Sequence, residues 1–145
     1  MSAKLGLNVK SVDSAPKALR DADVVSTATP SREPYIKSEW IEPGTHITTV
    51  GSDEGNKQEL ESSIYHKAKV IVDKRDIALN KKYLKPELIY AELGEIVAGM
   101  KPGRTKPDEI TIMDSTGLGI QDVAAGLVAY RLAKEKGMGT WKELF

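Results

Sequence analysis

The chain has 145 residues, enough for one domain with a single hydrophobic core, and its 21 Lys and Arg balance its 21 Asp and Glu. This balance gives no electrostatic reason to expect nucleic acid or an anionic membrane as a partner. The absence of cysteine excludes disulfides, thiolate catalysis and cysteine-based zinc sites. No apolar run reaches the roughly 18 residues that span a bilayer, and the N-terminus lacks the apolar core of a signal peptide, so a cytoplasmic protein is predicted.

The first half of the chain alternates short apolar runs with helical patterns. Leu7 to Val12 alternates like a strand, and Ser14 followed by Pro16 then predicts a helix start. Two β-rich runs follow, at residues 23–29 and 45–51. Residues 56–68 have the spacing of an amphipathic helix, and residues 69–74 form a third short apolar run of the buried parallel type.

The second half continues the alternation. Residues 75–101 predict a helical stretch interrupted at Pro86, with four residues that could face a core: Leu88, Ala91, Ile96 and Val97. Residues 110–115 predict a strand, and the last element is a helix over residues 119–136 that ends at Gly137. The pattern predicts an α/β fold, a partial Rossmann-type parallel sheet flanked by helices, with ligands outside the carboxyl ends of the strands.

Small polar residues, glycines and acids follow the predicted strands. They are Ser26, Thr27 and Thr29, then Gly51, Ser52, Asp53 and Gly55, then Asp73, and finally Asp114, Ser115, Thr116, Gly117 and Gly119. Such residues suit anions and sugar hydroxyls, but turns and helix caps use the same types, so both interpretations stay open. Near Gly117, a dinucleotide fingerprint fails because Asp122 occupies the third glycine position. No metal site is predicted, since the two histidines lack a ligand spacing.

Four segments in order resemble the ornithine cyclodeaminase/mu-crystallin family: "DADVVSTATPSREP", "EPGTHITTVGSDEGNKQEL", "AELGEIVAGMKPGRT" and "DEITIMDSTGLGIQD". The resemblance extends from about Leu5 to Lys136. It implies an NAD(P)-binding Rossmann domain and hydride transfer between nicotinamide and an amino or imino acid carbon. Ornithine cyclodeaminases add deamination and ring closure. Alanine dehydrogenases, ketimine reductases and a crystallin that binds a small ligand are also members, so these alternatives stay open, as does a purely structural remnant.

The resemblance also implies roles for individual residues. Asp53 matches the family's proton donor, which contacts the substrate amine. Thr116 matches a substrate-side position where relatives often have valine, so the substrate preference stays open. The implied cofactor contacts are Thr27, Thr29, Val50, Gly51, Ser52, Lys57 and Ser115.

The family pattern places further parts ahead of Met1: the pyrophosphate loop, the ribose-binding acid and a substrate and dimerisation domain with a catalytic lysine and an arginine. Residues 1–145 are thus expected to form one domain, an N-terminally truncated, incomplete Rossmann domain with a C-terminal helix. We expect this chain alone to bind NAD or NADP weakly or not at all, and to be inactive. A homo-oligomer or a separately encoded N-terminal half is the expected partner, with a small amino acid as substrate.

Overall fold

A computed structural model describes residues 2–51, 56–140 and 142 of the chain. Its centre is a five-stranded sheet formed by β1 (Val24–Thr27), β2 (His46–Thr49), β3 (Lys69–Val72), β4 (Ile89–Glu92) and β5 (Thr111–Asp114). The strand order is β1-β2-β5-β3-β4, and every neighbouring pair is parallel. The predicted α/β class with a parallel sheet is confirmed, and so are the strands expected near residues 23–29, 45–51, 69–74 and 110–115.

The helices of the described chain are short, with one exception. They are α1 (Ser2–Leu5), α2 (Ala15–Leu19), α3 (Ser62–Tyr65), α4 (Arg75–Ala78), α5 (Leu93–Val97) and the 17-residue α6 (Gly119–Glu135). Single 3-10 turns occur at Ser38–Trp40 and Pro86–Leu88. Within residues 2–51, 56–140 and 142, no helix has the length and apolar character that crossing a bilayer requires.

Strand register explains where the core lies. Ile47 on β2 pairs with Ile112 on β5, and Ile112 pairs with Val70 on β3, so the three side chains share one face of the sheet. All three are fully buried. Leu60 and Ile64 pack in the same cluster, which covers the face with the connections between strands. Because all the strands are parallel, the residues that follow them lie together at the carboxyl edge of this sheet.

The strand predicted at Leu7 to Val12 is wrong, because these residues have no regular structure. Leu7, Val9 and Val12 are all exposed. An alternating pattern forms a strand only where a neighbouring strand offers hydrogen bonds. In the described part of the chain, β1 pairs with β2 and no ladder joins residues 7–12.

Residues 89–92 form strand β4, where a helix was predicted. β4 lies beside β3, pairing Ile89 with Val70 and Ala91 with Ile71. The edge of β3 selects an extended chain over the helical propensity of the local sequence. Ala91 does face the core, as expected, whereas Val97 is 80% exposed and its predicted core position is wrong.

The amphipathic helix predicted over residues 56–68 is reduced to the single turn α3. Residues ahead of it are extended, because Leu60 forms a β-bridge with Ile36. The Tyr35 and Ile36 amides both donate to the carbonyl oxygen of Glu59, at 3.0 and 3.1 Å. This extended course buries the Glu59 side chain completely, where a helix would have placed it at the surface.

Helix α6 has the predicted extent, and Gly137 follows it with a φ of 61°, a left-handed conformation that glycine adopts without strain. Four apolar residues share one face of this helix. Ile120, Val123, Leu127 and Tyr130 are 72%, 70%, 45% and 56% exposed, so this face is open within the described chain.

Candidate functional site

The candidate site lies at the carboxyl ends of β1, β2, β5 and β3. Register places Thr27 beside Thr49, Thr49 beside Asp114 and Asp114 beside Val72, so the four strands end at one level. This is the edge of a parallel sheet at which ligands bind in doubly wound folds.

Glu59 is the centre of the site on the β1–β2 side. Its Oε2 accepts hydrogen bonds from Thr27 Oγ1 at 2.7 Å and from the Gly51 amide at 3.1 Å. Its Oε1 accepts from the Thr29 amide at 2.6 Å, from Thr29 Oγ1 at 2.8 Å and from the Tyr35 hydroxyl at 3.3 Å. The buried carboxylate therefore receives five donors from three separate segments, which compensates its removal from water.

Gly51 brings the two loops into direct contact. A Cβ placed on Gly51 would lie 2.1 Å from the carbonyl oxygen of Thr29 and 2.5 Å from its nitrogen. Only glycine permits this approach. The Val50 amide also donates to the Thr27 carbonyl at 2.9 Å, so the turn after β2 is held against the end of β1 on both sides of the peptide.

Asp73, which follows β3, performs a similar role for the turn after β5. Its Oδ2 accepts from Ser115 Oγ at 2.9 Å and from the amides of Thr116 and Gly117 at 2.7 Å each. Gly117 has a φ of 85°, which glycine adopts at this turn without strain. Among the described residues, the other Asp73 oxygen, Oδ1, and Thr116 Oγ1 are buried without a hydrogen-bond partner. Such orphaned atoms leave capacity for a further group at this edge of the sheet.

Below this turn, Asp114 forms a buried polar cluster. Lys81 pairs with Asp114 Oδ1, and the side chains of both residues are at most 2% exposed. Oδ2 accepts from the Tyr65 hydroxyl at 2.8 Å and from the Tyr83 hydroxyl at 3.2 Å. Burial raises the pKa of Tyr65 well above its usual value, and the Asp114 charge raises it further, so the phenol stays a neutral donor.

The two halves of the site are connected, since the Ser115 amide donates to the carbonyl of Thr49 at 3.0 Å. The predicted site residues Thr27, Thr29 and Gly51 are thus brought together by Glu59, and Ser115 and Thr116 by Asp73. Val50 is half exposed beside them. Lys57 is partly buried in the segment before Glu59. Ser52 and Asp53 lie outside the described residues.

Sequence reasoning missed Glu59, Tyr65, Lys81 and Tyr83. Glu59 and Tyr65 were included in the amphipathic helix predicted over residues 56–68, and the pair Lys81–Lys82 has the pattern of an exposed segment. Their partners lie between 8 and 49 positions away, so no local pattern indicates them. Asp73 and Asp114 had a signal, since Asp73 directly follows the apolar strand β3 and Asp114 is the last residue of β5.

The chain matches the model of the ornithine cyclodeaminase/mu-crystallin family over residues 1–137. It is 44% identical over 144 residues to an alanine dehydrogenase of Archaeoglobus fulgidus, covering 93% of this chain and 44% of the relative. The chain thus spans less than half the length of that relative.

The chain is also similar to solved structures. A Δ1-pyrroline-2-carboxylate reductase of Thermococcus litoralis, in complex with NADH and L-proline, superposes with a TM-score of 0.87 at 39% identity. The match covers 97% of this chain and 47% of that one. An archaeal alanine dehydrogenase dimer with bound NAD gives a TM-score of 0.83 at 42% identity, covering 99% of this chain and 47% of that one. By sequence and by structure, the chain belongs to the ornithine cyclodeaminase/mu-crystallin family.

Proposed function

We propose that this chain supplies the nicotinamide side of an NAD(P)-dependent enzyme that transfers hydride at an amino or imino acid carbon. The observation that carries the proposal is the closure of the β1 and β2 loops by Glu59, which gathers Thr27, Thr29 and Gly51 at the carboxyl edge of a parallel sheet. The relatives solved with NAD or NADH support the same cofactor class.

The residues present suit the nicotinamide end of the cofactor. We assign its contacts to the two loops and to the turn after β5, through Thr27, Thr29, Val50, Gly51, Ser52, Lys57 and Ser115. The buried, unpartnered Thr116 Oγ1 and Asp73 Oδ1 leave polar capacity at the same edge. When bound, the nicotinamide ring supplies the hydride acceptor or donor.

Asp53 is the proposed acid that moves the proton. It follows Gly51 by two positions in the sequence, and the Gly51 amide is held by Glu59. Positioning of this kind provides much of the advantage of a general acid over the same group in solution. Thr116 is assigned to the substrate side, where its hydroxyl would contact the amino or imino acid.

Two reactions of the family are candidates. Ornithine cyclodeamination joins hydride transfer to loss of ammonia and ring closure. The 44% identity to an alanine dehydrogenase and the 39% identity to a pyrroline-carboxylate reductase favour, as the second candidate, reversible reduction of an imino acid.

Full activity requires more than this chain, on our proposal. Because the chain spans about half of its relatives, we infer that a substrate and dimerisation domain comes from another segment or another chain. The 145-residue chain alone would then bind NAD(P) weakly and turn over no substrate, because pyrophosphate anchoring and substrate positioning are supplied elsewhere.

A chimera tests the proposal. The part of the Archaeoglobus fulgidus alanine dehydrogenase that this chain does not match would be fused ahead of it. NADH or NADPH oxidation would be followed with pyruvate plus ammonia or with Δ1-pyrroline-2-carboxylate, and ammonia release with NAD and ornithine. We expect one activity in the chimera and none in the isolated chain.

Asp53→Asn in the chimera should lower kcat by about 10²–10⁴-fold, as loss of a general acid does, whereas Asp122→Asn on the exposed surface of α6 should leave it unchanged. A folded chimera without any of these activities, or an isolated chain that turns over at the rate of the chimera, would contradict the proposal.

A further inference from the structure

We propose that Glu59 is a positioning residue that sets the hydrogen-bond polarity at the end of β1, so that the hydroxyl oxygens of Thr27 and Thr29 act only as acceptors toward a ligand. A ligand group that meets them must then donate, as a carboxamide NH2 or a sugar hydroxyl does, and an anionic oxygen is rejected. The inference deepens the proposed function and rests on it for the identity of the ligand.

The polarity follows from counting protons. A threonine hydroxyl has one proton and two lone pairs. Thr27 and Thr29 both give that proton to Glu59, at 2.7 and 2.8 Å. Thr27 is buried, so the partly exposed Thr29 is the hydroxyl that a ligand reaches. Its remaining capacity is to accept.

The Ser115 hydroxyl, in the turn after β5, has the same polarity. Ser115 Oγ donates to Asp73 Oδ2 at 2.9 Å, and the nearby amides of Thr116 and Gly117 donate to the same oxygen. These three donors, which would otherwise attract a phosphate or carboxylate, are therefore directed toward Asp73, as the donors of Thr27 and Thr29 are toward Glu59. The arrangement suits the uncharged end of a dinucleotide and disfavours its phosphates.

Only a carboxylate satisfies the donors around Glu59. Each of its oxygens faces one backbone N–H that cannot rotate away, Gly51 at Oε2 and Thr29 at Oε1. In Glu59→Gln, either orientation of the amide turns an NH2 group toward one of these N–H groups. One loop must then lose its contact, although the side chain keeps its size and shape.

The contacts by which Glu59 holds the two loops are tested without a ligand. Amide hydrogen exchange of Thr29 and Gly51 would be measured by NMR in the 145-residue chain. We expect Glu59→Gln to speed exchange of at least one of the two amides by about tenfold or more, the effect of losing a hydrogen bond to a charged group. The control is Glu61→Gln, an exposed carboxylate two positions away that accepts from the Ser38 amide, and it should leave both amides unchanged. Unaltered protection of both amides in Glu59→Gln overturns the proposal.

The polarity is tested with two probes in the chimera, NADH and its 3-acetylpyridine analogue, in which a methyl group replaces the carboxamide NH2. Wild-type protein should bind NADH about tenfold or more tightly than the analogue, and Thr29→Val should reduce this preference because the acceptor is gone. Thr29→Ser keeps the hydroxyl and should retain the preference. An undiminished preference in Thr29→Val overturns the polarity assignment.

The role of Glu59 and the identity of the ligand can be tested separately. If Glu59→Gln does not fold, Thr29→Val, which leaves both backbone donors and the carboxylate intact, decides the question alone. If the folded chimera binds no NADH, the proposed function fails and the ligand assignment fails with it, while the exchange measurement still decides whether Glu59 holds the loops.

Discussion

Lys81 and Asp114, 33 positions apart in the chain, form an ion pair in which neither side chain is more than 2% exposed. Asp114 is the last residue of β5, and the Lys81 ammonium also reaches the Ser115 carbonyl at 3.4 Å. The pair thus anchors the segment after α4 to the turn that carries Ser115 and Thr116. Because the ion pair is buried, the loss of either charged group should destabilise the fold.

Lys81→Met should therefore lower the free energy of unfolding by about 3–5 kcal/mol, because it leaves the Asp114 charge buried without its counterion. Lys82→Met removes the same group from an exposed neighbouring position and should change stability by less than about 0.5 kcal/mol. Urea denaturation followed by circular dichroism measures both. Equal effects of the two substitutions would contradict the buried ion pair.

Tyr65→Phe should cost about 1–3 kcal/mol, since Asp114 Oδ2 loses a 2.8 Å hydrogen bond in a buried cluster. It should also change the response to alkali. Burial raises the pKa of Tyr65 in the folded protein above its unfolded value, so the phenol stabilises the fold fully below about pH 10 and this contribution is lost as pH rises through the folded pKa.

The free energy of unfolding should consequently fall less between pH 9 and 12 in Tyr65→Phe than in the wild type. Tyr130→Phe, at an exposed position on α6, serves as the matched control and should keep the wild-type pH dependence. If both variants lose stability with pH as the wild type does, Tyr65 does not titrate as the structure requires.

Gly51→Ala should destabilise the protein by about 1–3 kcal/mol or more, because the added Cβ would lie 2.1 Å from a backbone oxygen that cannot move without separating the β1 and β2 loops. Gly126→Ala, within α6, meets no atom within 4 Å and should instead stabilise by about 0.5–1 kcal/mol. Thermal denaturation measures the stability of the two variants. If Gly51→Ala left the stability unchanged, Gly51 could not lie this close to Thr29.

The exposed stripe on α6 predicts self-association of the isolated chain, since four apolar residues at helical spacing form a contiguous open surface: Ile120, Val123, Leu127 and Tyr130. Val123→Lys should shift the chain toward the monomer without loss of stability, as Val123 is 70% exposed. Gln121→Lys adds the same charge to an exposed position of the first turn and should have the smaller effect. Light scattering over a range of concentrations measures both, and a wild-type monomer at high concentration would contradict the prediction.

Much of the sheet could be predicted from local pattern. β1, β2, β3 and β5 are short runs rich in Val, Ile and Thr, which extended chains accommodate well. The "IYAE" run of β4 has a weaker signal, because only Ile89 and Tyr90 favour a strand and the following Ala and Glu are equally compatible with a helix. Its conformation depends on the free edge of β3, a partner about 20 positions away.

The sequence by itself determined four of the five strands and the helix α6, the glycines that allow close approach and left-handed turns, and the family motifs at the strand ends. These depend on neighbouring residues, whose steric preferences act over a few positions. Only the tertiary structure decided which carboxylates are buried at the site. Glu59, Asp73 and Asp114 are stabilised by donors from distant segments, and an acid has no local preference that distinguishes such a position from the surface.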